Sequence, residues 1–254
     1  MVLRVERISK RFGGYLALDD VSCEVAENRI QALIGPNGAG KTTLFNVVSG
    51  MLRPTAGQVL FQGRDYTGSR PDLVSAMGIA RNFQQVRLFP GLSVVENIAI
   101  GCHAPSGGNR WDTLLRLGFF ERQAERAARA KAADLLGFVG IKLKSADLPS
   151  ELTLVDQRRL EIARALASTP RLLLLDEPAA GMNPAEVAEL GELIRRIRSS
   201  GITILLVEHN MRLVMNVADR VTVLSAGRVI ADGTPADIRQ DEAVIAAYLG
   251  VGHA

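Results

Sequence analysis

Hydrophobic and polar positions alternate near the start of the chain, as they do in half-buried β-strands. Two sets of residues follow this spacing: Leu3, Val5 and Ile8, and then Val21, Cys23 and Val25. The run from Arg29 to Ile34 is mostly apolar and predicts a buried strand. Residues 1–34 are therefore predicted to form short strands.

A change of period follows Ile34. Residues 35–40 are too rich in Gly, Pro and Asn for regular structure, and Lys41–Met51 then has apolar residues at helical spacing. A second strand and helix are predicted at Leu172–Leu175 and Ala185–Arg198, the helix starting after Asn183-Pro184. A third such unit is predicted from a strand at Ile202–Val207, a helix near Met211–Val217 and a strand at Val221–Leu224. Strands that alternate with helices indicate an α/β fold with a parallel sheet covered on both faces.

Residues 88–166 have a different pattern, mostly helical and with few β-branched runs. They are predicted to form a helical subdomain inserted into the α/β fold. From Arg228 onwards, a turn is predicted at Gly233-Thr234-Pro235, followed by a short helix that ends near Tyr248–Gly250.

Composition, charge and the length of the apolar runs exclude several classes of protein. The chain has 254 residues, of which 47% are hydrophobic and 22% charged, as in an ordinary soluble globular protein. A net charge of +3 does not support nucleic acid as a partner. Cys23 and Cys102 match no metal-binding spacing and are expected to be reduced thiols. The apolar runs are far shorter than the about 20 residues that span a bilayer, so any membrane association is expected to come through a partner.

The Gly-, Pro- and Asn-rich segment at residues 35–40 gives the strongest indication of function. Residues 35–42 fit the pattern G-x-x-x-x-G-K-[ST], between a predicted strand and a predicted helix. Backbone N–H groups in such a loop, together with the start of the helix, bind α- and β-phosphates. Lys41 is expected to reach the β- and γ-phosphates, and the Thr42 hydroxyl to coordinate Mg²⁺. The candidate ATP-binding residues here are Gly35, Asn37, Gly38, Ala39, Gly40, Lys41, Thr42 and Thr43.

A pair of carboxylates follows the second buried strand. Asp176 and Glu177 come directly after Leu172–Leu175, where the carboxyl end of a parallel strand faces bound ligands. Asp176 is expected to hold Mg²⁺, directly or through water. Glu177 is placed to act as the general base, or to orient the water that attacks the γ-phosphate. Together with the phosphate loop, these residues predict a nucleoside triphosphatase.

Further motifs resemble those of ATP-binding cassette (ABC) subunits, in the same order along nearly the whole chain. Gln84, in Arg81-Asn-Phe-Gln-Gln85, resembles the Q-loop residue, although Gln85 fits this place as well. His209 resembles the switch histidine, and Ala180-Gly-Met-Asn183 resembles a D-loop. The resemblance implies that Gln84 is a catalytic residue and a Mg²⁺ ligand, that Lys41 and His209 act in catalysis, and that Phe12 stacks on adenine.

This resemblance also implies a domain organisation. Residues 1–254 would form one ABC ATPase domain, with a P-loop core of parallel sheet plus antiparallel β subdomain. The nucleotide-binding core would comprise residues 1–87 and 167–227, the helical subdomain residues 88–166, and the C-terminal tail residues 228–254.

Finer features resemble the ATPase subunits of branched-chain amino-acid importers, in particular the type with a longer helical insertion. They include Glu177–Pro184, Val207–Met211, Ile230–Pro235, Ala246–Gly250 and the stretch Trp111–Leu136. This resemblance implies three kinds of partner: a second ABC ATPase in a heterodimer or homodimer, two membrane permeases, and an extracytoplasmic binding protein. The chain would then lie at the cytoplasmic face of the membrane, held there by the permeases.

One segment departs from the family pattern. Where ABC ATPases have Leu-Ser-Gly-Gly-Gln, the signature that closes over ATP held by the opposite subunit, this chain has Leu152-Thr153-Leu154-Val155-Asp156. Thr153 can still offer a hydroxyl to the γ-phosphate, but Val155 has a side chain where close approach favours glycine. Asp156 would repel a triphosphate if its carboxylate pointed inward. Two hypotheses remain: the two ATP sites of the dimer differ in hydrolysis, or backbone amides suffice at both.

Other functions are considered beside the ATP-driven importer. The intact Lys41, Thr42, Asp176, Glu177 and His209 weigh against a nucleotide-loaded but idle regulatory scaffold, because an idle site does not need its general base. A stand-alone cassette acting on ribosomes or DNA usually has a second cassette or a long coiled insertion, which this chain lacks. Because the ATPase subunit does not touch the cargo, an amide, urea or an aromatic acid remains an alternative to an apolar amino acid.

Overall fold

The computed structural model describes residues 1–82, 87–102, 119–142 and 148–249, with only the backbone described at 119–125 and 249. The chain forms two compact units. The first comprises Met1–Val74 and Leu174–Ala254, and the second comprises Ser75–Leu173.

The first unit begins with an antiparallel sheet. Its strands are β1 (Leu3–Phe12), β2 (Tyr15–Val25), β4 (Ala56–Phe61) and β5 (Arg64–Asp65), in the order β2-β1-β4-β5. The register pairs Val5 with Cys23 on one side and with Val59 on the other. The predicted strands of residues 1–34 are thus present, but β1 and β2 have 10 and 11 residues and are longer than expected.

A second sheet carries the predicted parallel strands. They are β3 (Ile30–Ile34), β7 (Leu172–Asp176), β8 (Thr203–Val207) and β9 (Arg220–Ser225). A further strand, β10 (Arg228–Gly233), joins them at one edge, so that the order is β10-β9-β3-β8-β7. β3 is parallel to both β8 and β9, and the register pairs Leu33 with Val207 and with Thr222. All residues of β3, β7 and β8 are buried, as expected of parallel strands covered on both faces.

Helices accompany these strands in the first unit. They are α1 (Lys41–Val48), α2 (Pro71–Ala76), α6 (Pro184–Ser199), α7 (Met211–Val217), α8 (Pro235–Gln240) and α9 (Glu242–Leu249); α2 extends two residues into the second unit. α1 ends three residues before the predicted Met51, because Ser49 caps it and Gly50 adopts a left-handed conformation with φ 73°. α7 has the predicted bounds. Residues 228–233, predicted as part of a tail, instead form β10, which pairs antiparallel with β9.

The second unit is mainly helical. It contains α3 (Val94–Cys102), α4 (Phe119–Val139) and α5 (Leu154–Ala167), which pack against one another, a 3₁₀ turn at Pro149–Glu151, and the short strand β6 (Ile79–Arg81). β6 lies next to the start of β7, where the N–H groups of Arg171 and Leu172 donate to the Gly78 carbonyl at 2.9 and 3.1 Å. Asn97 is fully buried, and its side chain links α3 to the segment that precedes this helix. Its Oδ1 atom accepts from the Phe89 N–H, and its Nδ2 group donates to the Phe89 carbonyl.

Cys23 and Cys102 are both free thiols. Within the described ranges, no helix combines the length and the apolar composition needed to cross a bilayer.

Candidate nucleotide-binding site

The predicted phosphate loop lies between β3 and α1, in the order strand, loop and helix that its motif requires. Gly40 caps α1 with φ 100°, and Gly38 also has a positive φ, 79°. Asn37 and Gly38 are exposed, whereas Gly35 and Ala39 are buried. Left-handed residues of this kind are found in backbone nests that bind anions. The loop therefore has both the position and the conformation expected of a phosphate site.

The end glycines of the loop are also required by the protein's own backbone. A Cβ atom at Gly35 would lie 2.1 Å from the Leu224 carbonyl oxygen, and one at Gly40 would lie 2.7 Å from that of Ala17. A Cβ at Gly38 would meet nothing within 4 Å. The loop is thus held tightly at its two ends, and its centre is open.

Lys41 is the first residue of α1, and its side chain is buried against the loop. Its ammonium donates to the carbonyl oxygens of Gly35 at 2.7 Å and Pro36 at 2.9 Å. Burial lowers the pKa of Lys41, while the nearby Glu177 carboxylate acts in the opposite direction. Thr42 is exposed and Thr43 half-buried in the same turn. The Lys41 ammonium therefore lies at the start of the loop, and its predicted contact with β- and γ-phosphates stays a prediction.

The two predicted carboxylates lie at the end of β7. Asp176 is its last residue and is buried. Glu177 follows with a φ of 46°, and its N–H donates to the Val207 carbonyl at 2.9 Å. A positive φ at a residue other than glycine costs about 1–3 kcal/mol, which the surrounding structure must supply. The end of β7 is thus fastened to the end of β8.

His209 lies beside Glu177, two residues after β8. The His209 Nδ1 atom is 3.8 Å from the Glu177 Oε2 atom, and the two side chains are 60% and 20% exposed. Residues that are 32 positions apart in the sequence are therefore brought together at the ends of neighbouring strands. The structure places Lys41, Asp176, Glu177 and His209 in the first unit.

Glu208 has a place in this site that the sequence analysis did not foresee. It is 1% exposed, and its carboxylate accepts hydrogen bonds from the backbone N–H groups of Ala179, His209 and Asn210. Its only signal in the sequence is a charged residue at the end of an apolar strand. That pattern is common, and it does not reveal a partner 29 residues away.

Phe12, the predicted adenine platform, ends β1 with its side chain exposed. The Lys10 ammonium lies 5.1 Å from the centre of the Phe12 ring, within cation–π range. Tyr15 is the cross-strand partner of Phe12 and is also exposed. Lys10 was not among the predicted site residues, although its spacing of two residues from Phe12 along one strand predicts a shared face.

The predicted D-loop ends at Asn183, which caps α6. Its side-chain oxygen accepts from the N–H groups of Ala185 at 2.9 Å and Glu186 at 3.1 Å. The Glu186 carboxylate accepts from the Asn183 N–H and completes a capping box. Gln84 and its alternative Gln85 lie outside the described residues.

The predicted signature segment belongs to the second unit, where Thr153 caps α5. The Thr153 hydroxyl accepts from the Asp156 N–H at 3.1 Å and donates to the Asp156 carboxylate at 3.0 Å. Arg159 lies 3.8 Å from the same carboxylate. Asp156 therefore faces its own helix, and the Thr153 donor is already used. Val155 is half-buried.

The donor set suits a nucleotide with Mg²⁺. A buried lysine and a loop with left-handed glycines match phosphate chemistry, and the Thr42 hydroxyl and Asp176 carboxylate are oxygen ligands of the kind that Mg²⁺ prefers. Within the described residues, no group of three or more His, Cys, Asp or Glu side chains could form a metal cage. Mg²⁺ needs no such cage, because in phosphate sites it takes its other ligands from phosphates and water.

Comparison with known families gives two matches. The model of the family described as "ABC transporter" matches residues 18–180. The model described as "Branched-chain amino acid ATP-binding cassette transporter" matches residues 228–254.

Individual relatives match over almost the whole chain. The high-affinity branched-chain amino acid transport ATP-binding protein LivG of Salmonella typhimurium (strain LT2) is 44% identical over 250 residues, which cover 98% of each chain. BraF of Pseudomonas aeruginosa, named for the same transport, is 42% identical with the same coverage. Among solved structures, the ADP conformation of an ABC-transporter ATP-binding cassette has a TM-score of 0.84 and 32% identity, covering 98% of each chain.

Replacing Gly40 by alanine is predicted to destabilise the protein strongly. The expected loss in unfolding free energy combines about 1–3 kcal/mol of backbone strain with about 1–3 kcal/mol of overpacking against Ala17 and Leu18. Gly38→Ala is the control, because its Cβ would lie in open space and only strain of about 1–2 kcal/mol is expected. Denaturant unfolding measures both variants, and equal losses would contradict the close contact of Gly40 with Ala17 and Leu18.

Proposed function

The chain belongs to the ABC transporter family, and from this premise we propose that it is the ATP-hydrolysing subunit of an importer for branched-chain amino acids. The proposed ATP hydrolysis rests on one observation. Glu177 and His209 approach each other at the edge of the sheet where Lys41 begins α1. The importer part rests on the similarity to LivG and BraF over 98% of this chain.

The phosphate loop and Lys41 form the ATP-binding part of this proposal. Lys41 exchanges its two carbonyl partners for β- and γ-phosphate oxygens, and its positive charge then attracts the negative charge of the triphosphate. Phe12 offers an exposed ring on which adenine stacks. Thr42 and Asp176 would hold Mg²⁺, with Gln84 as a further ligand; the ion neutralises charge on the β- and γ-phosphates when bound.

Glu177 is the proposed general base. Its carboxylate orients a water molecule toward the γ-phosphate and accepts a proton from it, while the strained backbone fixes the direction of the side chain. His209 lies close enough to Glu177 to contact the same water or the γ-phosphate. Such positioning supplies much of the catalysis in phosphoryl transfer, because the transition state needs little covalent help from the protein.

Coupling to transport follows from differential binding. ATP contributes contacts in a closed dimer that ADP lacks, and only that difference can shift the dimer between open and closed forms. We propose that this chain pairs with a second ABC ATPase, in a heterodimer or a homodimer, and acts on two membrane permeases. An extracytoplasmic binding protein delivers the cargo. The chain then lies at the cytoplasmic face of the membrane, attached through the permeases.

In the heterodimer, the signature segment supports a difference between the two ATP sites. The site built on Lys41, Asp176 and Glu177 receives its signature from the partner subunit and hydrolyses ATP. The site capped by Thr153, Val155 and Asp156 binds ATP but turns over slowly, because the Thr153 hydroxyl is engaged by Asp156 and no glycine is present.

Lys41→Ala and Glu177→Gln are predicted to separate binding from turnover. Loss of the Lys41 ammonium removes charged hydrogen bonds and should weaken Mg·ATP binding by about 10- to 100-fold. Glu177→Gln should leave affinity within about threefold while lowering kcat by about 10²–10⁴. Calorimetry and phosphate release measure the two quantities. Parent-like hydrolysis by Glu177→Gln would remove this residue as the base.

The asymmetry of the two sites predicts unequal effects of matched substitutions. In the assembled transporter, Glu177→Gln in this chain should abolish most ATP turnover, whereas replacing the corresponding glutamate of the partner should have a small effect. Steady-state phosphate release from the two singly substituted complexes measures this. Equal losses would show that the altered signature supports hydrolysis.

Uptake by cells of the source organism tests the cargo. Deletion of the gene should reduce accumulation of labelled leucine, isoleucine and valine. The parent chain should restore it and Lys41→Ala should not, because transport needs bound ATP. Uptake of labelled ribose serves as the control and should not change. Unaltered uptake of branched-chain amino acids in the deletion strain would point to another cargo.

A further inference from the structure

Glu208 is a buried carboxylate with an unusual set of partners. One oxygen, Oε1, accepts from the Ala179 N–H at 2.8 Å. The other, Oε2, accepts from the N–H groups of His209 and Asn210, both at 3.0 Å. Hydrogen bonds to an ionised group are stronger than those between neutral groups. The carboxylate is therefore held in one orientation by three backbone donors.

These donors come from two different loops. Ala179 lies in the loop after β7, two residues beyond Glu177, while His209 and Asn210 lie in the loop after β8. The two loops are joined a second time by the hydrogen bond between the Glu177 N–H and the Val207 carbonyl, 2.9 Å long. Glu208 thus connects the two loops next to Glu177 and His209, whose side chains approach each other to 3.8 Å.

We propose that Glu208 is a positioning residue for ATP hydrolysis, which sets the placement of His209 relative to Glu177 by fastening the loops that carry them. The inference rests on the proposed function, because it assigns a role within the same reaction. Glu208 makes no contact with Lys41 among the hydrogen bonds of the described residues, so its effect should fall on turnover and not on ATP affinity.

A carboxylate suits this position because both of its oxygens are acceptors. Glutamine has the same shape, but it offers one acceptor oxygen and one donor group. It can satisfy either Ala179 or the His209 and Asn210 pair, and its amide then faces backbone N–H groups on the other side. Glu208→Gln therefore releases one loop while keeping the packing of the side chain.

Kinetics of the assembled transporter, in which the partner subunit supplies its signature segment, give the first test. Glu208→Gln should lower kcat by about 10- to 100-fold, since a displacement near 1 Å at a reacting centre has effects of this size. The KM for ATP should stay within about threefold of the parent value. Asp237→Asn is the matched control: its carboxylate also accepts from a backbone N–H, that of Thr234 at 2.9 Å, but in the cap of α8. Parent-like kcat in Glu208→Gln would overturn the proposal.

A double-substitution cycle separates positioning from general destabilisation. If Glu208 acts through His209, Glu208→Gln should lower kcat little further in a chain that already carries His209→Ala. A structural defect would instead lower kcat by the same factor in both backgrounds. Additive effects on the activation free energy would therefore contradict the proposal even if each single substitution is harmful.

NMR of the histidine rings gives a readout that does not need ATP turnover. The chain has three histidines, and the His209 signals are identified by their loss in His209→Ala. Glu208→Gln should shift or broaden the His209 ring signals and leave the other two rings unchanged, and Asp237→Asn should change none of them. Unaltered His209 signals would overturn the proposal. A parent transporter that neither binds nor hydrolyses ATP would instead contradict the proposed function.

Discussion

Parallel pairing of β3 with β8 is the constraint on which the site depends. The register places Leu33 opposite Val207, so the residues that follow these two strands emerge at the same edge of the sheet. The phosphate loop follows one strand and Glu208 and His209 follow the other. The hydrogen bond from the Glu177 N–H to the Val207 carbonyl brings the end of β7 to the same place. Pairing of the strands alone therefore brings groups from three distant parts of the chain to one edge of the sheet.

Backbone atoms hold the charged groups of this edge. The Lys41 ammonium is bonded to two carbonyl oxygens, and the Glu208 carboxylate to three N–H groups. Buried charges require such partners, because leaving one unsatisfied costs several kcal/mol. In the second unit, Thr153 and Asp156 satisfy each other within one helix cap. The altered signature segment therefore forms a stable helix cap, which explains why the fold accommodates it. The same hydrogen bonds occupy the Thr153 hydroxyl and leave it less suited to bind phosphate.

Elements with a strong local pattern could be predicted from the sequence, and those with a weak pattern could not. β3, β7 and β8 were expected at or near their observed bounds, because short, continuous apolar runs define them. α7 was also expected at its observed bounds, in the third unit of alternating strand and helix. Ala56–Phe61 was not expected as a strand, because its first residues are exposed and contain glycine. Arg228–Gly233 was placed in a tail, because a half-buried edge strand has little periodic signal. Each of these strands is stabilised by a neighbour that sequence spacing does not reveal.

The sequence by itself determined the phosphate loop, the carboxylates after β7 and the family to which they belong, because these motifs depend on residue type and short spacing. Tertiary structure alone decided that His209 faces Glu177, that Asp156 turns to its own helix cap and that Glu208 bridges two loops. Contacts such as that between Ala179 and Glu208 join residues 29 positions apart. Hydrogen bonds over such separations follow from strand order and register, which no local pattern of residues encodes.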